Sequence, residues 1–453
     1  MPRISMKQQA MTFAMDKLLQ DPEKNLLGLV NLADKFVIQP DHKQMIQRIR
    51  EFFQDKDNVW YKFAMTTLAN TNSHVINTMA VNFFVNANIF GVPKQLKTAE
   101  KIGASVPWAI LMDPTSACNL HCTGCWANDY AKADSLSYET LARVVREGRE
   151  LGIYFYVLSG GEPLVRKDDI VKLAREFPDV IFLAFTNGTL VDETFARQMR
   201  ECGNISLAFS LEGFEKATDQ RRGQGTFQKV MDAMDLLHKE GVVYGCSTTY
   251  TRLNTEEVGS DEYIQMLIDK GVTYLWYFTF VPVGGERDFS LMATPEQRAW
   301  MAERIVQMRK TLPLFVLDFW NDGEAAHGCI AGGRRYLHIN AAGEVEPCAF
   351  IHYAVDNIKD KSVEEILTSP LMKAYQSRQP FNDNQLRPCP LIDNPQMIYD
   401  IVKESGAHPT QVHEKPEDLG RLKDDLKEYS EGWGKIADEI WEKRHHKDEE
   451  QAG

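Results

Sequence analysis

One repeated pattern limits this chain more than any other feature: a helix closes at Gly and a β-rich run follows at once. ETLARVVREGRELG precedes IYFYVLS, DETFARQMRECG precedes NISLAFSLEG, QKVMDAMDLLHKEG precedes VVYGCSTTY, and DEYIQMLIDKG precedes VTYLWYFTFVPVG. A further unit sets DDIVKLAREFPD before VIFLAFTNG. Gly after a helix suits a left-handed terminal position, and an unbroken apolar run suits a strand buried on both faces. With the first strand, WAILMDPT, six β/α units span residues 108 to about 285. The repeat implies a parallel sheet with right-handed crossovers, curled into a partial (β/α)6 TIM-like barrel. In that α/β architecture the functional site lies at the C-terminal ends of the strands.

At 453 residues the chain is too long for one small core. Residues 1–104 read as a helical region before the barrel at 105–290. Residues 291–400 read as a small α+β unit with a hairpin turning at Ala342–Gly343, and 401–453 as a charged helical tail docked by Trp433 and Trp441. The start, MPRISMKQQAMTFAMDKLLQ, reads as an amphipathic helix without the apolar core of a signal peptide. The most apolar stretch, Met79–Val92, is shorter than a membrane span and carries Asn82, Asn86 and Asn88. It reads as a helix covering the main domain and stopped by Gly91 and Pro93, which leaves peripheral membrane contact open. A net charge of −13 argues against nucleic acid as a partner. Eight cysteines are too few for a disulfide scaffold, so a cytoplasmic location is expected.

Cys118, Cys122 and Cys125 form a CxxxCxxC loop directly after the first strand. Thiolates this close can point at one centre, and spacing alone admits either an iron–sulfur cluster or zinc. Zinc would want a fourth ligand, and His121 is badly placed inside the loop to supply it. Three ligands on a four-iron cluster leave one iron open.

A CxxxCxxC loop after the first strand of six β/α units resembles the radical S-adenosylmethionine (SAM) superfamily, over roughly residues 105–290. Gly160-Gly161-Glu162-Pro163 is similar to the family's GGE motif, which binds the SAM amino group. The resemblance makes Asn187, in Thr186-Asn187-Gly188, a further cofactor residue. It likewise implies that Ser210 and Glu212 contact ribose or carboxylate, and that Arg222, with Arg221 beside it, neutralises the SAM carboxylate. Thr248, Asn254 and Val281–Gly284 mark the fifth and sixth strand exits. Relatives carry an aromatic residue just before the third cysteine, near the adenine. Here that position is Gly124, and Trp126 becomes the candidate for that packing.

Cys329, Cys348 and Cys389 are similar to ligands of a SPASM or twitch domain, which implies a second, auxiliary [4Fe–4S] cluster. His327, His352 and Asp393 are the candidates for its fourth ligand, while Cys202 and Cys246 read as core residues. Such enzymes cleave SAM reductively to methionine and a 5′-deoxyadenosyl radical, which abstracts hydrogen from an unactivated C–H bond. The family further implies a flavodoxin or ferredoxin as electron donor. For substrate, a small molecule or lipid is expected from the helical N-terminus and the aromatic strand YLWYFTF. A peptide or protein maturase is the alternative, and a non-catalytic zinc protein the remote one.

Overall fold

A computed structural model describes residues 13, 19–34, 40–284, 287–413, 415 and 418–452. The expected amphipathic start falls almost wholly outside the described residues. The six anticipated strands are present: β1 (Ala109–Met112), β2 (Phe155–Leu158), β3 (Ile181–Thr186), β4 (Ile205–Ser210), β5 (Tyr244–Tyr250) and β6 (Tyr274–Thr279). They pair parallel in sequence order, with Ala109 opposite Phe155 and Ile205 opposite Phe182. The intervening helices end where the pattern said, as at Gly152 (φ +96°) and Gly203 (φ +73°). Their apolar faces and the outward sides of the strands form one continuous core around Ile110, Tyr156, Phe182 and Phe209. The fold is mixed α/β, with a parallel sheet forming a partial barrel, N-terminal helices and a small C-terminal unit.

The sheet does not end with these six. β7 (Phe315–Asp318) pairs parallel with β6, and β8 (Tyr336–Ile339) pairs parallel with β1 at the opposite edge. β9 (Val345–Glu346) returns antiparallel to β8, so the hairpin turning at Ala342–Gly343 is present, with Gly343 at φ +93°. The order is β7-β6-β5-β4-β3-β2-β1-β8-β9. The segment carrying the later cysteines is therefore joined to the barrel through β1, the strand that feeds the first cysteine loop.

The apolar N-terminal segment differs from expectation. Gly91 and Pro93 do not stop it: helix runs from Ser73 to Ile102, with π-helical turns over Val81–Gly91. Pro93 sits where the π-helical turns give way to the following α-helical segment. Gly91 has ordinary helical φ (−66°), but a Cβ there would lie 2.6 Å from the Gly152 carbonyl oxygen. Close approach to the barrel explains that glycine, not helix termination. Asn82 Nδ2 donates to the carbonyls of Pro178 (2.9 Å) and Val180 (3.1 Å), and Asn86 Nδ2 to that of Asp179 (3.0 Å). Ser73–Ile102 is also long and apolar enough to cross a membrane by length and composition, with 44% of its most apolar window buried in the fold. Phe83 meets Trp108 edge to face, and Trp108 stacks on Phe155, so the helix closes the barrel at the N-terminal ends of β1 and β2.

Candidate active site

The cysteine loop leaves the C-terminal end of β1 and is clasped from several strand ends. Gly161 N donates to Thr115 O (2.9 Å) and Glu162 N to Ala117 O (2.8 Å). Cβ atoms at Gly160 and Gly161 would meet Thr115 O at 2.5 Å and Ala117 O at 2.2 Å. These glycines therefore let the end of β2 run against the approach to Cys118. Glu162 is buried, and its carboxylate accepts from Leu164 N (3.0 Å), Thr186 Oγ1 (2.7 Å) and Asn187 N (2.8 Å). Burial raises its carboxyl above the ordinary value, with these donors pulling the other way. The side chain ties β2 to β3, and the Pro163 that follows opens a 3-10 turn.

Asn187 performs the matching task on β3. Its Nδ2 donates to Asn119 Oδ1 (2.9 Å) inside the cysteine loop, and Asn119 Nδ2 returns to Thr189 Oγ1 (2.7 Å). Ser210, at the end of β4, is half-buried. Two residues on, the buried Glu212 pairs with Arg222 (2.5 Å) and Arg221 (2.7 Å). Burial opposes its charge, yet the two guanidiniums together hold its carboxyl below the usual value. Arg222 Nη1 lies 3.9 Å from Cys122 Sγ, and Arg221 Nε donates to Thr123 O (3.2 Å). Burial pushes the Cys122 thiol up while Arg222 pulls it down. A thiolate beside a fixed cation fits a metal-bound sulfur. Thr248 bonds Tyr263 OH in the core, and Asn254 braces the turn after β5 through Thr251 and the Glu212 carbonyl.

The Gly124 departure has a structural cause. Gly124 is at φ +65°, and a Cβ would lie 2.6 Å from the Phe280 ring, which arrives from the exit of β6. Phe280 fills the space beside the third cysteine. Trp126 turns toward the C-terminal unit, stacking on His352 (6.2 Å, 25°) and meeting Tyr130, His338 and Phe350 edge to face.

Beneath Trp126 lies a buried polar network that the sequence did not announce. His338 on β8 bridges Asp113 (2.9 Å) at the end of β1 and Glu346 (2.7 Å) on β9. Glu346 also accepts from Tyr130 OH (2.9 Å), Asn340 Nδ2 (3.1 Å) and Thr410 Oγ1 (2.5 Å). Burial disfavours the imidazolium, but the two carboxylates outweigh it and carry His338 up to about 10. The network ties the first cysteine loop to the hairpin bearing Cys348.

Cys329, Cys348 and Cys389 line one cavity of about 190 Å³, with Trp276, Asp318, Phe319 and Trp320 on its wall. Burial pushes all three thiols up, Cys389 to about 12, so as free groups they would be neutral. Three thiols around one apolar space fit a cluster whose iron offsets the sulfur charge. Of the proposed fourth ligands, Asp393 is excluded: Arg298 grips its two oxygens (2.5 and 3.2 Å), and Cys389 N donates to it (3.0 Å). His327 is exposed, and His352 Nε2 is engaged with the Ala349 carbonyl (2.9 Å). One zinc ion draws thiolates to about 2.3 Å from a common centre, whereas cubane ligands each bond a different iron and stand apart. Among the described residues no three His, Cys, Asp or Glu side chains converge to hold a single ion.

Comparison with known proteins matches the two regions separately. Residues 112–267 match the radical SAM superfamily, and residues 329–390 match the SPASM iron–sulfur cluster-binding domain. The chain is 25% identical over 292 residues to an AdoMet-dependent heme synthase of Methanosarcina barkeri, covering 58% of this chain and 82% of that protein. It is 26% identical over 273 residues to the mycofactocin maturase MftC of Mycolicibacterium smegmatis, covering 57% and 68%. SuiB of Streptococcus suis, solved bound to S-adenosylmethionine, shares the fold with a TM-score of 0.54 at 15% identity, covering 66% of this chain and 75% of that one. The first match takes in the clasped loop after β1, and the second begins at Cys329 and takes in Cys348 and Cys389. The chain is a radical SAM enzyme, a member of the radical SAM superfamily with a C-terminal SPASM iron–sulfur domain.

Proposed function

We propose that Cys118, Cys122 and Cys125 hold the SAM-binding [4Fe–4S] cluster, and that Cys329, Cys348 and Cys389 hold the auxiliary one. The observation carrying the first assignment is the clasp: side chains or glycines from the ends of β2, β3, β4 and β6 all fix the loop after β1. Bound there, the cluster and SAM supply the 5′-deoxyadenosyl radical for hydrogen abstraction. Glu212, held ionised by Arg221 and Arg222, keeps a guanidinium beside Cys122. Gly160-Gly161, Glu162 and Asn187 hold the loop that presents the thiols, and Ser210 stands at the mouth.

The substrate in this reading is a small molecule or lipid. The cavity wall supports it: Trp276, Phe319, Trp320 and Phe350 make an apolar, aromatic surface with Asp318 as a buried carboxylate. The likeness to a heme synthase supports the same class. A peptide substrate is the second reading, favoured by likeness to the mycofactocin maturase. Reduction by flavodoxin or ferredoxin, in a cytoplasm that keeps the thiols reduced, completes the proposal.

The test of substrate class is untargeted mass spectrometry of cell extract incubated with reduced enzyme and SAM. A SAM-dependent mass change in the small-molecule or lipid fraction is expected. A change confined to peptides would overturn this reading in favour of the second.

A further inference from the structure

Two tyrosines touch the auxiliary thiols. Tyr336, the first residue of β8, brings its hydroxyl 2.8 Å from Cys348 Sγ. Tyr375, in the helix Pro370–Gln376, brings its hydroxyl 3.3 Å from Cys329 Sγ. Among the described residues neither hydroxyl has another hydrogen-bond partner, and both residues are buried. Both rings are fixed by neighbours, Tyr336 edge to face with Phe319 (5.8 Å) and Tyr375 with Phe381 (4.9 Å). Gly332 is bare for the same purpose: a Cβ there would lie 2.1 Å from the Tyr375 ring.

A sulfur bonded to iron carries no proton, so in each pair the phenol must donate. A donor on a cluster sulfur withdraws charge from it and favours the more negative, reduced state. Against the apolar wall of this cavity that effect is stronger than in water. The first cysteine loop differs: the side chain beside its sulfur is the Arg222 guanidinium at 3.9 Å from Cys122.

We propose that Tyr336 and Tyr375 are positioning residues that raise the reduction potential of the auxiliary cluster by donating hydrogen bonds to Cys348 and Cys329. The proposal rests on the assignment of Cys329, Cys348 and Cys389 as ligands. Its test uses the full chain carrying Cys118→Ala, Cys122→Ala and Cys125→Ala, so that only the auxiliary cluster is reconstituted. Iron content and an electron-paramagnetic-resonance redox titration are then measured for Tyr336→Phe, Tyr375→Phe and the double variant. Iron is expected to stay near that of the parent, while the midpoint moves negative in each single variant and further in the double. Tyr399→Phe, a half-buried tyrosine with no contact to these sulfurs, serves as control and leaves the midpoint in place. A fluorotyrosine in place of Tyr375, a stronger donor of nearly the same shape, moves the midpoint positive, which a merely structural role would not do. It also keeps the proposal open to refutation where a Phe variant fails to hold its cluster. Unmoved midpoints at full iron overturn the tyrosine proposal alone. Absence of iron from the triple-alanine parent overturns the ligand assignment and the proposal with it.

Discussion

Gly124 and Asp318 show how single residues encode this site. At Gly124 the left-handed backbone and the Phe280 ring both exclude a side chain. Gly124→Ala should cost about 1–3 kcal/mol in chemical unfolding, with part recovered when Phe280→Leu is added. A loss unaffected by the second change would contradict steric conflict as its cause. Asp318 stands at the C-terminal end of β7, and burial together with the neighbouring Asp322 carries its carboxyl from an ordinary 3.8 to about 6. Trp320 N and Asn321 N hydrogen-bond to it, Arg309 pairs with Asp322, and Tyr250 and Tyr277 face it from β5 and β6. A raised folded value means the folded state holds the proton more tightly. That contribution, about 3 kcal/mol, is complete below pH 3.8 and is lost as pH rises through about 6. Unfolding midpoints of Asp318→Asn should therefore lack the decline that the parent shows across this window. Parallel pH profiles would contradict the assignment. The thiols and the GGE motif were legible from the sequence because their chemistry is local. The partner of Gly124 was not, since Phe280 lies far along the chain and meets it only through the fold.

Among the elements, the βα repeat was readable because Gly-terminated helices and doubly buried strands leave a local pattern. The pairing of β7 and β8 with opposite edges of the sheet was not, because parallel pairing of distant segments has no local signature. Nor was the role of Gly91, whose need for smallness arises from Gly152 of another element. The C-terminal helix Lys427–Ala452 was expected to dock by its tryptophans, and Trp433 is fully buried, with Nε1 donating to Leu386 O (3.1 Å). It also covers the Arg298 guanidinium at 4.2 Å, and Arg298 pairs with Asp393 in complete burial. Asp393 in turn holds Cys389 N. Arg298→Met should cost about 3–5 kcal/mol by stranding a buried carboxylate, and Arg298→Met with Asp393→Asn should recover part of it. Trp433→Ala should loosen the Cys389 loop and lower iron from about eight toward four atoms per chain. Full iron retention in Trp433→Ala would contradict this tether.

For the whole molecule, one continuous sheet links the first cysteine loop to Cys348 of the second set. β1 feeds the first loop, β8 and β9 lead to Cys348, and His338 bridges the carboxylates of Asp113 and Glu346 between them. Reading the sequence as a barrel followed by a small unit captured the parts, and long-range register supplied the connection. The central claim is that the clasped loop after β1 holds the cluster that cleaves SAM. It is tested by anaerobic reconstitution, dithionite reduction, addition of SAM and quantification of 5′-deoxyadenosine. The intact chain should release 5′-deoxyadenosine, and the Cys118→Ala, Cys122→Ala, Cys125→Ala variant, still carrying its auxiliary iron, should release none. Undiminished 5′-deoxyadenosine from that variant would contradict the account.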